Sequence, residues 1–448
     1  MSQRNLVIFS LTLVICCVCY ARGEHNPFAR YLASALDTIE NRSLEPITGR
    51  DLFNGAMEGM VEVLHTHGDM HSAFYDERET GLVLEELHQK IGGIGVRIRI
   101  LGEPPRLVIV GPPEPGSPAA RADIRAGDHI LAINGHPTDG MSMEDVLGHM
   151  RGRAGERVSL EIERGSEPMP RTLDLVRAVI DVESVLGDVR GPDGRWRFAL
   201  QSDPRIAHVR VTSFGDRTAA ELQATLEQLT AEGVAAVALD LRDNPGGALD
   251  ATIAVCNLFM PPGKLIVETR GRRGQFRHRD LTGGSGPHFA LPLAVLVNGN
   301  SASASEIVAA CLQDHGRAVV VGQQTYGKGT VQQLLPTQAG KSMLKLTWAS
   351  FWRPSGDNIH RPADVDATDD GVWGVLPREG FDIRLTEEEY GDYLRYRAHR
   401  DMLGLMPPGT DFDRPPANFI DRQLNRAVQH LQAVLTEGDQ RDNSTITE

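Results

Sequence analysis

Cysteine and lysine are both scarce in this chain. Of its five cysteines, Cys16, Cys17 and Cys19 fall within the first 23 residues, which leaves Cys256 and Cys311, each inside an apolar run. A disulfide-stapled scaffold is thereby excluded, and buried free thiols are expected. Neither cysteine has His and Asp at metal-ligand spacing, and His65, His67 and His71 read as a wet helix end, so no metal and no cofactor are expected. Of 46 basic residues only five are Lys, so a solvated cation is normally written as Arg and each lysine calls for a reason. The net charge of -14 excludes a general nucleic-acid binder. One stretch runs the other way: Arg270, Arg272, Arg273, Arg277 and Arg279 around Gly271 and Gly274 form either a solvated loop or an anionic contact. Long apolar runs are absent but for the fourteen residues Leu6 to Cys19, preceded by Arg4 and followed by Ala21. That run is short for a bilayer span, so residues 1–23 are expected to be a signal peptide or a short membrane anchor, and the protein exported to a periplasmic or other extracytoplasmic site.

What is present is an α/β chain of 448 residues, enough for about two to four domains. Residues 24–88 carry long apolar-polar stretches that predict helices. From 89 to 180 the pattern changes to short strands, with Asn134-Gly135 as a tight-hairpin signal and Met143 to Met150 at helical spacing, predicting a small β-sandwich with one helix. Between 181 and 385 near-continuous apolar strands (Ile206 to Phe214, Val234 to Leu241, Ala290 to Val297) alternate with helices, which implies a buried, mostly parallel sheet. Residues 386–448 predict exposed helices and a polar, disordered tail. Helical segments at both ends make a homodimer the default expectation.

The chemistry concentrates at three turns. Asn298-Gly-Asn-Ser301-Ala-Ser303-Ala-Ser305-Glu306 joins a buried strand to a helix. Ser303 with Glu306 is a capping box, which needs no function, yet a hydroxyl there also faces helix N–H groups able to hold an oxyanion. Gln323 to Gln333 contains Lys328 between Gly327 and Gly329. An ammonium, unlike a guanidinium, can be neutralised by burial and serve as a base, which from about 10.4 to near 7 takes about 4 to 5 kcal/mol. Lys328 and Gln332 share a face of an extended segment, so the amide can orient the amine. A phosphate-binding loop at Gly322 to Gly329 is rejected, because its last position is Gly and the chain after it alternates like a strand. An esterase elbow at Gly299 to Ser303 lacks its closing Gly. Asp240-Leu-Arg-Asp-Asn-Pro-Gly246-Gly247 ends another buried strand, with paired glycines that permit close backbone approach.

Asp240-Leu-Arg-x-Asn-Pro-Gly-Gly, Ser301-Ala-Ser-Ala-Ser-Glu-Ile, Gln313-Asp-x-Gly-Arg-Ala and Tyr326-Gly-Lys-Gly-Thr-Val-Gln-Gln, in this order and spacing, resemble the carboxyl-terminal processing proteases, the tail-specific serine peptidases of family S41. The resemblance runs from Asp69-Met-His-Ser72 to about residue 385. It implies a ClpP/crotonase-like α/β protease core with an inserted PDZ-like domain whose carboxylate loop is Gly93-Ile94-Gly95-Val96. Its middle serine, 25 residues before the lysine, selects Ser303 over Ser301 and Ser305 and pairs it with Lys328 and Gln332. The oxyanion hole it implies is the N–H of Ala304 with that of Gly246 or Gly247, and Asp314 is structural. Tails with free, apolar C-termini would enter between the Gly95 to Leu101 strand and a helix bearing Val146 and Met150. Two positions depart from the family: Trp373-Gly-Val-Leu-Pro-Arg replaces the usual Gly-Ile-x-Pro-Asp, and Met70 stands where Pro is common. A non-catalytic PDZ scaffold and a hydrophobic-ligand-binding protein on the same core are the competing readings.

Overall fold

The computed structural model describes residues 26–445 except 102–103, 115, 166, 168, 275–276, 284–287, 363–372 and 403–415. The leader expected at 1–23 lies outside the described residues. The chain divides into two compact units, residues 1–80 with 332–347, and residues 81–331 with 348–448.

In the first unit, α1 (Pro27–Arg42) is capped by Asn26 and α2 (Gly49–Thr66) by Thr48, each side chain accepting a first-turn N–H. Met57 and Val61 of α2 pack on Phe74 and Leu344. The expectation that 24–88 is helical is corrected at β1 (Ala73–Tyr75), which pairs antiparallel with residues 343–345. Three residues are too few to show a period, and the partner strand lies some 270 residues downstream. His65 Nε2 and His67 Nδ1 donate to the carbonyls of Ser72 and Val63, so these histidines finish the end of α2.

Helix α3 (Glu77–Leu87), whose residues from Gly81 on belong to the second unit, leads into the small β region. There β2 (Lys90–Gly93) pairs with β9 (Ala178–Asp181), and a sheet of order β3-β4-β5-β7-β8 is built from Ile98–Leu101, Arg106–Ile109, His129–Ile133, Arg157–Glu163 and Arg171–Val176. Strand β6 (His136–Pro137) returns on β5 through Asn134 and Gly135, at φ 50° and 79°, the conformation of a two-residue hairpin. Helix α4 (Met143–Met150) closes the layer over Ile109, Ile133 and Leu160.

Past the short strands β10 (Val185–Leu186), β11 (Val189–Arg190) and β12 (Trp196–Arg197), four parallel strands form the core. They are β13 (Ile206–Val211), β14 (Ala236–Asp240), β17 (Leu293–Val297) and β18 (Val319–Gly322), in that spatial order, with β10 antiparallel on the edge. Alternation along the strands sorts side chains by size. Val237, Leu239, Val295 and Val297 face α5 (Thr218–Ala231), α6 (Leu249–Phe259) and α7 (Ala304–Asp314), while Ala236, Ala238 and Ala294 leave room on the other face for α9 (Arg422–Thr445). The expectation of exposed C-terminal helices is corrected here. Leu424, Ala427, Val428 and Leu431 are buried at i, i+3, i+4, i+7, and α8 (Glu387–Met402) buries Tyr393, Arg397 and Met402. Helix α9 also continues to Thr445, into the stretch expected to be a disordered tail, because no proline stops it and a lone Gly438 only weakens it. The remaining strands are β15 (Leu265–Gly271) and β16 (Arg277–Leu281), an antiparallel hairpin, with β19 (Thr330–Thr337) and β20 (Ser342–Trp352). Cys256 and Cys311 are buried free thiols, as expected.

Candidate active site

The turns singled out from the sequence all leave carboxyl ends of adjacent parallel strands, where open α/β sheets leave a crevice. Strand β14 runs into Asp240 to Gly247, β17 into Asn298 to Ser303, and β18 into Gln323 to Lys328. Ser303 occupies the strand-to-helix turn at φ 56°, ψ -112°, a conformation costly for a residue with a Cβ and held here by its surroundings. The flanking serines are committed elsewhere: Ser301 Oγ donates to the Leu241 carbonyl (2.7 Å) and Ser305 Oγ to the Asn244 carbonyl (2.9 Å), both fully buried. They tie the β17 turn to the β14 turn.

Glu306 was expected only as a capping partner, and it is the centre of the site. Its side chain is wholly buried. Oε2 accepts the Ser303 N–H (2.7 Å) and the Lys328 N–H (2.8 Å), while Oε1 accepts Thr325 Oγ1 (2.6 Å) and the Gly327 N–H (2.7 Å). One oxygen therefore holds the backbones of both expected dyad residues. Burial pushes this carboxyl up to about 7 against the pull of its four donors. A sign was available in the sequence, because a glutamate in a helix apolar on every side has to be buried; α7 is covered all round rather than along one stripe.

The Lys328 loop is held from its other side as well. The Arg361 N–H donates to the Gly327 carbonyl and the Phe351 N–H to that of Gly329. A Cβ at 329 would come 2.1 Å from the His360 nitrogen, so the glycines flanking the lysine permit this packing. Trp373 to Leu376, where the sequence departs from the family pattern, also support this loop: the Val375 N–H donates to Thr325 Oγ1 (2.8 Å) and Trp373 is buried. Gln332 belongs to the first unit, where its Nε2 donates to Thr347 Oγ1 (3.3 Å), which in turn donates to Asp69 Oδ1 (2.9 Å). Asp69 and Ser72 of the Asp-Met-His-Ser motif are joined at 2.5 Å, and the Thr347 N–H donates to Ser72 Oγ. Asp314 pairs with Arg353 (2.6 Å) and is structural.

The β14 turn is rigid. Asn244, fully buried, donates to the Val211 carbonyl (2.7 Å) and accepts the Gly246 N–H (2.9 Å). That bond removes Gly246 from the expected oxyanion donors, whereas the N–H groups of Gly247 and Ala304 bond no acceptor among the described residues. Gly246 serves by shape: at φ 106°, a Cβ there would meet Ser303 Cβ at 2.8 Å. Below the turn Arg242 bridges Asp240 (2.7 Å) and Asp421 (2.9 Å), which anchors the turn to the start of α9.

The small β domain carries a cavity of about 400 Å³ lined by Gly93, Ile94, Gly95, Val96, Leu147 and Met150 among others. Val146, expected to line it, is instead fully buried in the domain core; one residue along a helix is a turn of about 100°, which brings Leu147 to the groove. The groove wall expected as Gly95 to Leu101 is regular strand only from Ile98. Asp401 and Met402 of α8 also line the cavity, and Met402 packs on Val110.

Comparison with known proteins identifies the family. The profile of Peptidase family S41 matches residues 205–368 and that of the PDZ domain residues 109–164. A carboxy-terminal-processing protease of Bartonella bacilliformis is 31% identical over 96% of this chain and 95% of its own length. The carboxyl-terminal-processing protease of Picosynechococcus is 33% identical over 80% of each chain. A solved photosystem II D1 C-terminal processing protease is 26% identical, with a TM-score of 0.43, over 79% of this chain and 92% of its own. With those relatives matched along most of their length, the chain belongs to the carboxyl-terminal processing proteases of peptidase family S41 and carries a PDZ domain.

Proposed function

We propose that the protein is an exported serine endopeptidase that receives protein tails in its PDZ groove and hydrolyses peptide bonds with Ser303 and Lys328. Neutral Lys328 takes the Ser303 proton as the hydroxyl oxygen attacks the peptide carbonyl. The Gly247 and Ala304 N–H groups hold the oxyanion, the lysine returns the proton to the leaving amine, and water then clears the acyl-enzyme. Gln332 orients the lysine amine. The observation that carries this reading is the single Glu306 oxygen that accepts both the Ser303 and the Lys328 N–H, with the hydroxyls of Ser301 and Ser305 already spent on carbonyls. The five PDZ loop and helix residues at the cavity, Gly93, Ile94, Gly95, Val96 and Met150, support capture of an extended tail by its carboxylate. The apolar run at 6–19 supports export and attachment to a membrane through the N-terminus, and the helices at either end support a homodimer.

The test is degradation of an unfolded reporter with an apolar free C-terminus. Loss of cleavage in Ser303→Ala and in Lys328→Arg, with an amidated tail spared by the unaltered protein, is the expected result. Lys328→Arg is the sharper variant, since a guanidinium keeps its charge and cannot act as base. Undiminished cleavage by either variant rejects the dyad, and retained tail binding without any cleavage returns the scaffold reading.

A further inference from the structure

The arginine-rich stretch is the hairpin β15–β16, and the catalytic reading leaves it without a task. Arg270 stands directly opposite Arg277 and Glu268 opposite Arg279. Like charges facing across paired strands destabilise a sheet, and one carboxylate serves two of these arginines: Arg270 bonds Glu268 (2.5 Å) and stacks 3.7 Å over the Trp352 ring, while Arg279 Nε lies 3.7 Å from the same Glu268. Arg272, Arg273 and Arg277 are exposed and form no ion pair among the described residues, and Arg279 is 62% exposed. His278 is paired with Asp280. Five arginines against Glu268 and Asp280 leave three positive charges on this hairpin, on a chain whose net charge is -14.

The hairpin also has an open side. Strand β16 is the edge of its sheet, paired only with β15 among the described residues, so it offers a row of backbone donors and acceptors. Natural edges are protected by a charge or two. That role accounts neither for Arg272 and Arg273 at the tip nor for Arg277 set against Arg270. The hairpin is continuous with the site: Thr269 pairs with Phe351, whose N–H donates to the Gly329 carbonyl, next to Lys328. Three strand spacings, about 14 Å, separate the Lys328 segment from the open edge, a distance covered by roughly four residues of extended chain.

We propose that β16 is a docking strand for an acidic stretch of the polypeptide substrate, which adds to the sheet edge and sets its carboxylates against Arg277, Arg279 and the tip arginines. This rests on the peptidase reading above. The acidic stretch lies about four to eight residues from the scissile bond, and the hairpin adds a selection independent of the tail.

The experiment uses the full chain and reporters with one common apolar tail. A block of Glu, Ser or Lys is placed about four to eight residues to either side of the cleaved bond. For one flank, the Glu reporter is expected to have a kcat/KM about tenfold above the Lys reporter at low salt, as two or three exposed charge pairs would give. The ratio is expected to fall below about twofold near 0.5 M salt. R277E/R279E is expected to reverse the order while cleaving the Ser reporter as before, and R272Q/R273Q, confined to the exposed tip, to reduce the preference without disturbing the edge. Equal cleavage of Glu and Lys reporters on both flanks, or a preference that survives R277E/R279E, overturns the proposal. So does loss of binding to phosphatidylglycerol vesicles in that variant with selectivity unchanged, which would make the hairpin a lipid contact. Failure to cleave even the Ser reporter rejects the peptidase reading and, with it, this one.

Discussion

Replacing Glu306 by Gln separates the two things its carboxylate does. Because burial raises this carboxyl to about 7 from an ordinary 4.5, the folded chain binds the proton more tightly than the unfolded one. Its contribution to stability is therefore complete below 4.5 and is lost as pH rises to about 7; above that, the buried charge costs about 3 kcal/mol. The Glu306→Gln variant would not carry that cost. Whichever way its amide turns, however, the NH2 group faces the Gly327 N–H or the N–H groups of Ser303 and Lys328, and each orphaned donor costs about 1–3 kcal/mol. Near pH 8.5 the two effects are of similar size, so Tm is expected to change by only a few degrees. Activity is not protected in the same way, since a shift of about 1 Å in the Ser303 or Lys328 backbone is worth about a hundredfold. Protonation of Glu306 in the unaltered protein has the same local effect, so kcat/KM is expected to fall as pH is lowered through about 7. The measurement is kcat/KM and Tm of both proteins from acid to mildly alkaline pH. Activity of Glu306→Gln within threefold of the original, or a loss of activity that merely follows Tm, would refute the reasoning.

Five further substitutions have expected outcomes. Gly246→Ala should lower kcat/KM about a hundredfold, with about 1–3 kcal/mol of stability lost, because its Cβ meets Ser303 at 2.8 Å; Gly247→Ala, whose Cβ would lie 2.1 Å from the Phe214 carbonyl oxygen, should unfold the turn, and Gly299→Ala, open on all sides, should be nearly silent in urea denaturation. Asn244→Ala removes the bonds to Val211 and Gly246 and should cost about 2–4 kcal/mol by the same assay. Leu431→Ala, fully buried between α9 and the sheet, should cost about 2–5 kcal/mol in stability measured well below Tm, while leaving the site geometry intact.

The sequence made the parallel sheet legible because strands buried on both faces are nearly continuous in apolar residues, as Ala236 to Asp240 and Leu293 to Val297 are. It also marked the turns at their ends. Choosing among Ser301, Ser303 and Ser305 took a resemblance, since spacing alone cannot say which hydroxyl is spent on a carbonyl. The role of Glu306 was hidden because a capping box and a buried hub share one local pattern, and its other donors lie about 20 residues on. Gly246 and Val146 were misjudged for a similar reason. Whether an N–H is taken by Asn244, or which of two neighbouring helix residues turns to a groove, is decided by tertiary contacts. The contribution of α9 was missed because its apolar stripe is short and its last turns are polar.

That helix sets an order on the making of the molecule. Ribosomes release a chain from its N-terminus, so β13, β14, β17 and β18 emerge while Ala236, Ala238 and Ala294 still face water, and the Arg242 guanidinium waits for Asp421. Residues 421–431 are among the last of the described chain to arrive, and until they do the turn bearing Gly246 and Gly247 has no floor. The candidate catalytic turn is thereby completed only after nearly all of the described chain has been made, so a nascent chain passes its neighbours before that site is finished.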